Sequence, residues 1–237
     1  GLVGSEMCIR DSSMLSITPQ INKAAKYAVG QDLQAVSLIA RSPLFLVAHP
    51  KTGVKTFQEF VVRAKKEPGA FTYGSSGIGS THHLTMEAMK ADLGLSLVHV
   101  PFRGSSQSVP ALVGGQVDVL FAALPSMQGF VKSGQVVLLA SNAAKRSASV
   151  PDVPSINETI PGFDFSVSVG VLARTGTPSE ISKRISDEIA QIVKLPDVVE
   201  KFQTAGIESV GANGDAYRKV IELENQVMAC LLYTSPS

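Results

Sequence analysis

The middle of the chain alternates short apolar runs with segments whose apolar residues recur every three or four positions. Leu44–Ala48 (LFLVA) is a continuous apolar run, as expected of a strand covered on both faces of a sheet. Thr56-Phe57-Gln58-Glu59 reads as a capping box, its hydroxyl and carboxylate satisfying the first free N–H groups of a helix. That helix carries Phe57, Phe60, Val61 and Ala64 at core spacing and stops at Pro68-Gly69. The same rhythm predicts strands at Phe71–Gly74, Leu97–Val100, Val117–Phe121 and Val136–Ala140. Between them lie helices through Leu84–Met89, Val109–Val113 and Met127–Lys132. Strands alternating with helices at this spacing predict an α/β fold with a parallel sheet and right-handed crossovers.

After Lys145 the rhythm changes. A polar connector with Pro151, Pro154 and Pro161 leads to a longer strand, Phe165–Ala173. Thr177-Pro178-Ser179-Glu180 combines a second capping box with a proline at the first helical position. The helix it opens carries Ile181, Ile185, Ile189 and Ile192 as one stripe, which predicts packing on a core. Helices over Asp197–Gly206 and Asp215–Met228 complete the pattern.

Both ends fall outside it. Gly1–Ser12 (GLVGSEMCIRDS) has neither a signal-peptide layout nor an amphipathic period, and Cys230–Ser237 (CLLYTSPS) breaks off the last helix without a cap. Both strings resemble translated sequencing-adaptor read-through, so residues 1–12 and 230–237 are expected to be artefact and Ser13–Ala229 the natural segment. Cys8 and Cys230, the two cysteines, fall in these ends and offer neither a disulfide framework nor zinc-finger spacing.

Composition narrows the class. With 44% hydrophobic and 17% charged residues among 237, the chain has the make-up of a soluble globular protein rather than a disordered one. A net charge of +1 without a basic run predicts no nucleic-acid partner. No apolar run approaches the roughly 18 residues of a membrane-spanning helix.

The candidate chemistry lies in two loops. Tyr73-Gly74-Ser75-Ser76-Gly77-Ile78-Gly79-Ser80-Thr81-His82-His83 joins a strand to a helix at the strand's carboxyl end, where open α/β sheets bind ligands. Glycines allow close backbone approach, and hydroxyls with free helix-start N–H groups can cradle an anion. Phe102-Arg103-Gly104-Ser105-Ser106 repeats the arrangement one unit later and adds an arginine. No charged side chain occurs from Ala70 to Met86, so a carboxylate or phosphate there is held by dipoles. Ordinary small-residue turns would look the same. The dinucleotide fingerprint, the phosphate-binding P-loop and the nucleophile elbow all fail on spacing; a hydrolase pairing Ser76 with His83 has only Asp118 and Glu87 nearby as orienting acids. His82 and His83, being adjacent, do not form a metal pair; His83 instead can brace the glycine loop, and His99 reads as a packed, hydrogen-bonded residue. No metal or cofactor is expected.

QAVSLIARSPLFLVAHP, FTYGSSGIGSTHHL, LVHVPFRGSSQSVPALVGGQVDVLF, NAAKRSASVPDVPSI and GVLARTGTP together resemble the periplasmic receptors of tripartite tricarboxylate transporters, the Bug proteins. The resemblance implies a type II periplasmic-binding-protein fold: two α/β domains joined by crossing strands, closing by a hinge on a small carboxylate. It places a partial first domain at 13–41 and 163–229 and an inserted second domain at 42–162, the first lacking its opening βα unit. Carried over by position, the ligand-binding residues are Ser76, Gly77, Ile78, Gly79, Ser80, Arg103, Gly104 and Ser105. Three places depart from the family pattern: Ala122-Ala123 where an acid is frequent, Ser168-Val169 where an aromatic pair is frequent, and His82 beside the more typical His83. The implied protein is a monomeric, non-enzymatic periplasmic receptor that hands an organic or amino acid to membrane transporter subunits. The rival readings are the effector-binding domain of a transcription regulator and an α/β hydrolase using Ser76.

Overall fold

The computed structural model describes residues 7–11 and 30–234. Its contacts divide the chain at Ser42/Pro43 and at Ser166/Val167, so that one unit is made of two separate stretches and the other is continuous. Residues 12–29, assigned above in large part to the first domain, lie outside the described residues.

The continuous unit, unit 2 (Pro43–Ser166), is built on a five-stranded sheet. Its strands are β3 (Leu44–Ala48), β4 (Thr72–Ser75), β5 (Val98–Pro101), β6 (Val119–Ala123) and β7 (Val137–Ser141) in the order β5-β4-β6-β3-β7. Helices α1 (Phe57–Lys66), α2 (Thr81–Leu93), α3 (Ser105–Val113) and α4 (Leu124–Lys132) connect them. β4 runs parallel to β5 and β6, but β3 is antiparallel to both β6 and β7, so the sheet is mixed rather than all-parallel. The reason is topological. β3 enters directly from the preceding strand, with no crossover helix to set its direction, and lies between two strands that α4 keeps parallel.

Helix α1 follows its sequence signals closely. Thr56 accepts the Glu59 N–H at 3.2 Å, while the Glu59 carboxylate accepts the Lys55 N–H at 2.7 Å, one residue earlier than the box predicts. Phe57, Phe60, Val61 and Ala64 are all buried. α3 and α4 start earlier than their apolar periods suggest, at Ser105 and Leu124: the first turn of α3 is polar and invisible to hydrophobic periodicity, while α4 opens on Leu124 with a proline in its first turn. The proline-rich connector is tied down by a bidentate Arg146–Glu158 pair at 2.7 and 2.8 Å.

Unit 1 carries a four-stranded antiparallel sheet, β1-β8-β2-β9, from β1 (Met7–Asp11), β2 (Leu33–Ser42), β8 (Val167–Arg174) and β9 (Glu208–Asn213). Helices α5 (Ser179–Ile192), α6 (Pro196–Thr204) and α7 (Gly214–Thr234) accompany it. Met7–Asp11, inside the terminal string set aside above, thus forms a strand against Val169–Ala173. α7 does not stop near Met228 but continues through Cys230 to Thr234. The second capping box does not form: Pro178 is the residue before α5, and the Thr177 hydroxyl donates to the Arg174 carbonyl at 2.8 Å. The isoleucine stripe is also split. Ile185 and Ile189 pack against Val36, Val171 and Ala173, whereas Ile181 and Ile192 stay exposed.

Candidate functional site

β4 and β5 are parallel neighbours, paired Tyr73 with His99 and Ser75 with Pro101, so both predicted loops leave the same edge of the unit 2 sheet. The Phe102 N–H donates to the Ser75 carbonyl at 3.1 Å, and the Phe102 carbonyl packs against Gly77. The two loops are therefore brought together. Gly77 (φ +128°), Gly79 (φ +76°) and Gly104 (φ +119°) occupy backbone regions that side-chain-bearing residues rarely adopt, which explains glycine at each turn.

Each loop opens a helix. Ser80 caps α2: its hydroxyl accepts the His83 N–H at 3.3 Å and donates to the Gly77 carbonyl at 2.7 Å. Gly104 precedes α3 without a side-chain cap, so the N–H groups of Ser105 and Ser106 have no acceptor among the described residues. The same holds for Ile78, whose side chain is 75% exposed. The Gly79 N–H, in contrast, is taken by His83 Nδ1 at 3.2 Å, and the Gly77 N–H by the Ser75 hydroxyl at 3.2 Å. The backbone of Arg103 donates to Gln107 Oε1 at 3.1 Å, and its exposed guanidinium has no ion-pair partner among the described residues. Ser105 is exposed and Ser76 half-buried.

Sequence reasoning missed what lies beneath the loops. Tyr73, His99 and His83 form a stack, with ring centroids 4.6 Å apart for Tyr73–His99 and 4.4 Å for His83–His99. His99 Nε2 lies 2.7 Å from the Ser75 hydroxyl. Glu87 accepts from the Tyr73 hydroxyl and from Lys90 Nζ at 2.6 Å, and His83 Nε2 lies 4.0 Å from the same carboxylate oxygen. Burial pushes His99 down to about 4, helped by the neighbouring His83, and burial likewise lowers His83 and His82. Burial alone would raise Glu87, but the hydrogen bonds from Lys90 and Tyr73 outweigh it and hold the carboxyl below the usual range. At neutral pH the three imidazoles are therefore uncharged and Glu87 is ionised. A usable signal did exist: His83 and Glu87 are four residues apart on one helix face. Which strand residue meets them depends on the β4/β5 register, and periodicity does not carry that.

The Ser76/His83 pairing does not occur. Ser76 instead faces His82 Nδ1 at 2.8 Å, and His83 serves the glycine loop. No carboxylate lies within ion-pair distance of His82 among the described residues, and both candidate orienting acids are committed elsewhere. Glu87 is held by Tyr73 and Lys90, while Asp118 accepts from the Thr72 N–H and hydroxyl, each at 2.7 Å, and pairs with Lys51 at 3.2 Å. Among the described residues no carboxylate stands as third member of a triad with Ser76 and His82. Among the described residues no group of three or more His, Cys, Asp or Glu is placed to hold a metal ion. Unit 1 holds a separate pocket of about 750 Å³ lined in part by Gln34, Lys183, Asn213 and Arg218; none of the eight predicted site residues lines it.

The sequence profile of the tripartite tricarboxylate transporter family receptor matches residues 7–231. The chain belongs to this family. A Pseudomonas sp. strain P51 protein, encoded between tcbD and tcbE, is 28% identical over 238 residues, covering 95% of this chain and 71% of its own length. A Cupriavidus necator protein is 33% identical over 187 residues, 79% of this chain and 57% of that protein. Protein BugT of Bordetella pertussis is 30% identical over 213 residues, 90% and 64% of the two chains. The chain thus spans roughly two-thirds of the length of these relatives. Among solved structures, a periplasmic transporter superposes with a TM-score of 0.82 at 28% identity, covering 96% of this chain and 77% of the other. An R. palustris protein solved with adipate gives 0.82 at 25% identity over the same shares. BugD, at 22% identity and a TM-score of 0.77, shares the fold, which is that of periplasmic binding proteins of this type. No helix among the described residues is long and apolar enough to cross a membrane.

Proposed function

We propose that this chain is part of a periplasmic receptor that binds a small carboxylate and presents it to the membrane subunits of a tripartite transporter. The observation that carries the reading is the pair of adjacent loops on one sheet edge, each opening a helix, with the N–H groups of Ile78, Ser105 and Ser106 left without acceptors among the described residues. Such donors suit an anion, and the second loop adds Arg103, whose exposed guanidinium has no ion-pair partner among the described residues. The relative solved with adipate supports a carboxylate as the ligand class. On this reading Ser76, Gly77, Ile78, Gly79, Ser80, Arg103, Gly104 and Ser105 form the ligand-binding region, the protein acts as a monomer, and it catalyses nothing.

Calorimetric titration with adipate, malate and a neutral diamide of adipate tests this. Binding of a dicarboxylate but not of the diamide is expected; binding of neither acid, or equal binding of the diamide, overturns the reading. Arg103→Ala is expected to weaken dicarboxylate binding about tenfold, the size of one charge-assisted hydrogen bond. An unchanged dissociation constant would remove Arg103 from the site. The Ser76–His82 contact of 2.8 Å gives the experiment a second arm. A fluorophosphonate probe is expected not to label Ser76, and labelling would make the chain a serine hydrolase.

A further inference from the structure

The stacked rings of Tyr73, His83 and His99 make two contacts upward, to the loop, and two downward, to a single carboxylate. Upward, His99 Nε2 meets the Ser75 hydroxyl at 2.7 Å, and His83 Nδ1 accepts the Gly79 N–H at 3.2 Å. Downward, Tyr73 and His83 both address Glu87, which Lys90 neutralises at 2.6 Å while its ammonium sits 5.2 Å from the centre of the Tyr73 ring. We propose that this stack positions the glycine loop, holding Ser75 and Gly79 in place through the two imidazoles so that the remaining N–H groups face the ligand. The proposal deepens the carboxylate-receptor reading and rests on it for everything that concerns the ligand.

The chemistry of the contacts separates positioning from mere packing. Three rings would fill the same space as phenylalanines, yet two carry nitrogens whose hydrogen bonds end on atoms of the loop. Accepting from the Gly79 N–H requires an unprotonated Nδ1, which puts the His83 proton on Nε2, facing the Glu87 carboxylate. The Ser75 hydroxyl, 1% exposed, is a hub: it meets His99 Nε2, accepts the Gly77 N–H and reaches the Gly77 carbonyl, each of the last two at 3.2 Å. One buried oxygen thus ties the strand's end to the first turn of the loop. Gly77 and Gly79 adopt positive φ and would otherwise be free to rearrange. Fixing them in advance removes an ordering cost from binding. The Gly79 N–H, spent on His83, then belongs to the scaffold, and Ile78, Ser105 and Ser106 supply the donors that face outward.

The test compares His99→Phe, which keeps a ring but loses Nε2, with His99→Gln, which loses the ring but keeps a polar reach to Ser75. Hydrogen exchange of the Gly77 amide and the dissociation constant for adipate are read on both variants of the whole chain. His99→Phe is expected to speed Gly77 exchange at least tenfold and to weaken adipate binding about tenfold, with His99→Gln recovering both to within about threefold of wild type. Wild-type exchange in His99→Phe overturns the proposal, and so does His99→Gln behaving as badly as His99→Phe. If His99→Phe does not fold, Ser75→Ala deletes the hub itself, and unchanged Gly77 exchange there overturns the proposal equally. Should the wild-type chain bind neither adipate nor malate, the receptor reading fails, while the exchange measurement still decides whether the stack holds the loop.

Discussion

Units 1 and 2 bury their apolar residues in different ways. Among the described residues the largest fully buried side chains include Phe45, Phe57, Phe60, Phe121, Leu46 and Leu120 in unit 2, but only Tyr217 in unit 1. Unit 2 interlocks aromatic and aliphatic side chains on both faces of its sheet. Unit 1 depends on long strand pairing between β2 and β8, with tight approaches at Gly170, Gly211 and Gly214, the first against the Tyr217 ring. The candidate loops stand on the densely packed unit. That arrangement suits a site made of backbone N–H groups, since dipoles hold an anion well only where their directions are fixed.

The comparison can be broken from either side, beginning with the largest effect. Phe60 is fully buried in unit 2 and meets Phe71 edge-on at 5.4 Å. Phe60→Ala is expected to cost about 3–5 kcal/mol in urea-induced unfolding, the usual range for emptying such a site. A loss below about 1 kcal/mol would show that the core collapses around the gap and is not densely interlocked. In unit 1 the sensitive position is a glycine. A Cβ at Gly170 would run into the Tyr217 ring and the Ser37 carbonyl, so Gly170→Ala is expected to cost about 1–3 kcal/mol through overpacking. Amide exchange should rise first along β2 and β8, and an effect spread evenly over both units would contradict their separateness.

A pH series sharpens the comparison, because the depressed imidazoles all lie in unit 2. His99 titrates at about 4 in the folded chain, against about 6.5 when unfolded. The unfolded state therefore binds more protons as pH falls through that interval, so stability is full above about pH 6.5 and is lost progressively towards pH 4. His83 and His82 are lowered in the same direction and add to the loss. Urea midpoints measured at pH 7 and pH 5 are expected to fall for unit 2, and His99→Gln should flatten part of that slope. A midpoint independent of pH in this range would mean that the imidazoles are as exposed folded as unfolded.

How much of this was legible in the sequence follows from which physical signal each element carries. α1 was readable because apolar spacing and capping chemistry agree over ten residues. The two loops were readable because glycine and hydroxyl residues mark a helix start. β2 was not, since bulges at Ala35/Ser37 and Leu38/Ala40 break its alternation and its residues are buried unevenly. β9 is a half-exposed edge strand containing Gly211 at positive φ, and its composition resembles a loop. The antiparallel insertion of β3 and the meeting of His99 with Ser75 are both facts of strand order and register. Neither leaves a trace in local periodicity, so the residues that brace the loop were visible only as separate histidines.

The isoleucine stripe of α5 gives the smallest and most discriminating test. Periodicity treats Ile181, Ile185, Ile189 and Ile192 as equivalent, but the structure exposes the first by 51% and the last by 48% while the middle two pack on Val36 and Ala173. Ile181→Ser is therefore expected to change unfolding free energy by less than about 0.5 kcal/mol, as at an ordinary surface position. Ile185→Ser removes packed methylenes and places a hydroxyl against the sheet, so it should cost clearly more, about 1–3 kcal/mol. Equal losses at the two positions would mean that α5 lies against another surface in solution and that the stripe works as the sequence pattern suggests. A large loss only at Ile185 would instead fix the α5 contact face on the middle of the stripe, where unit 1 keeps its second small cluster of buried side chains.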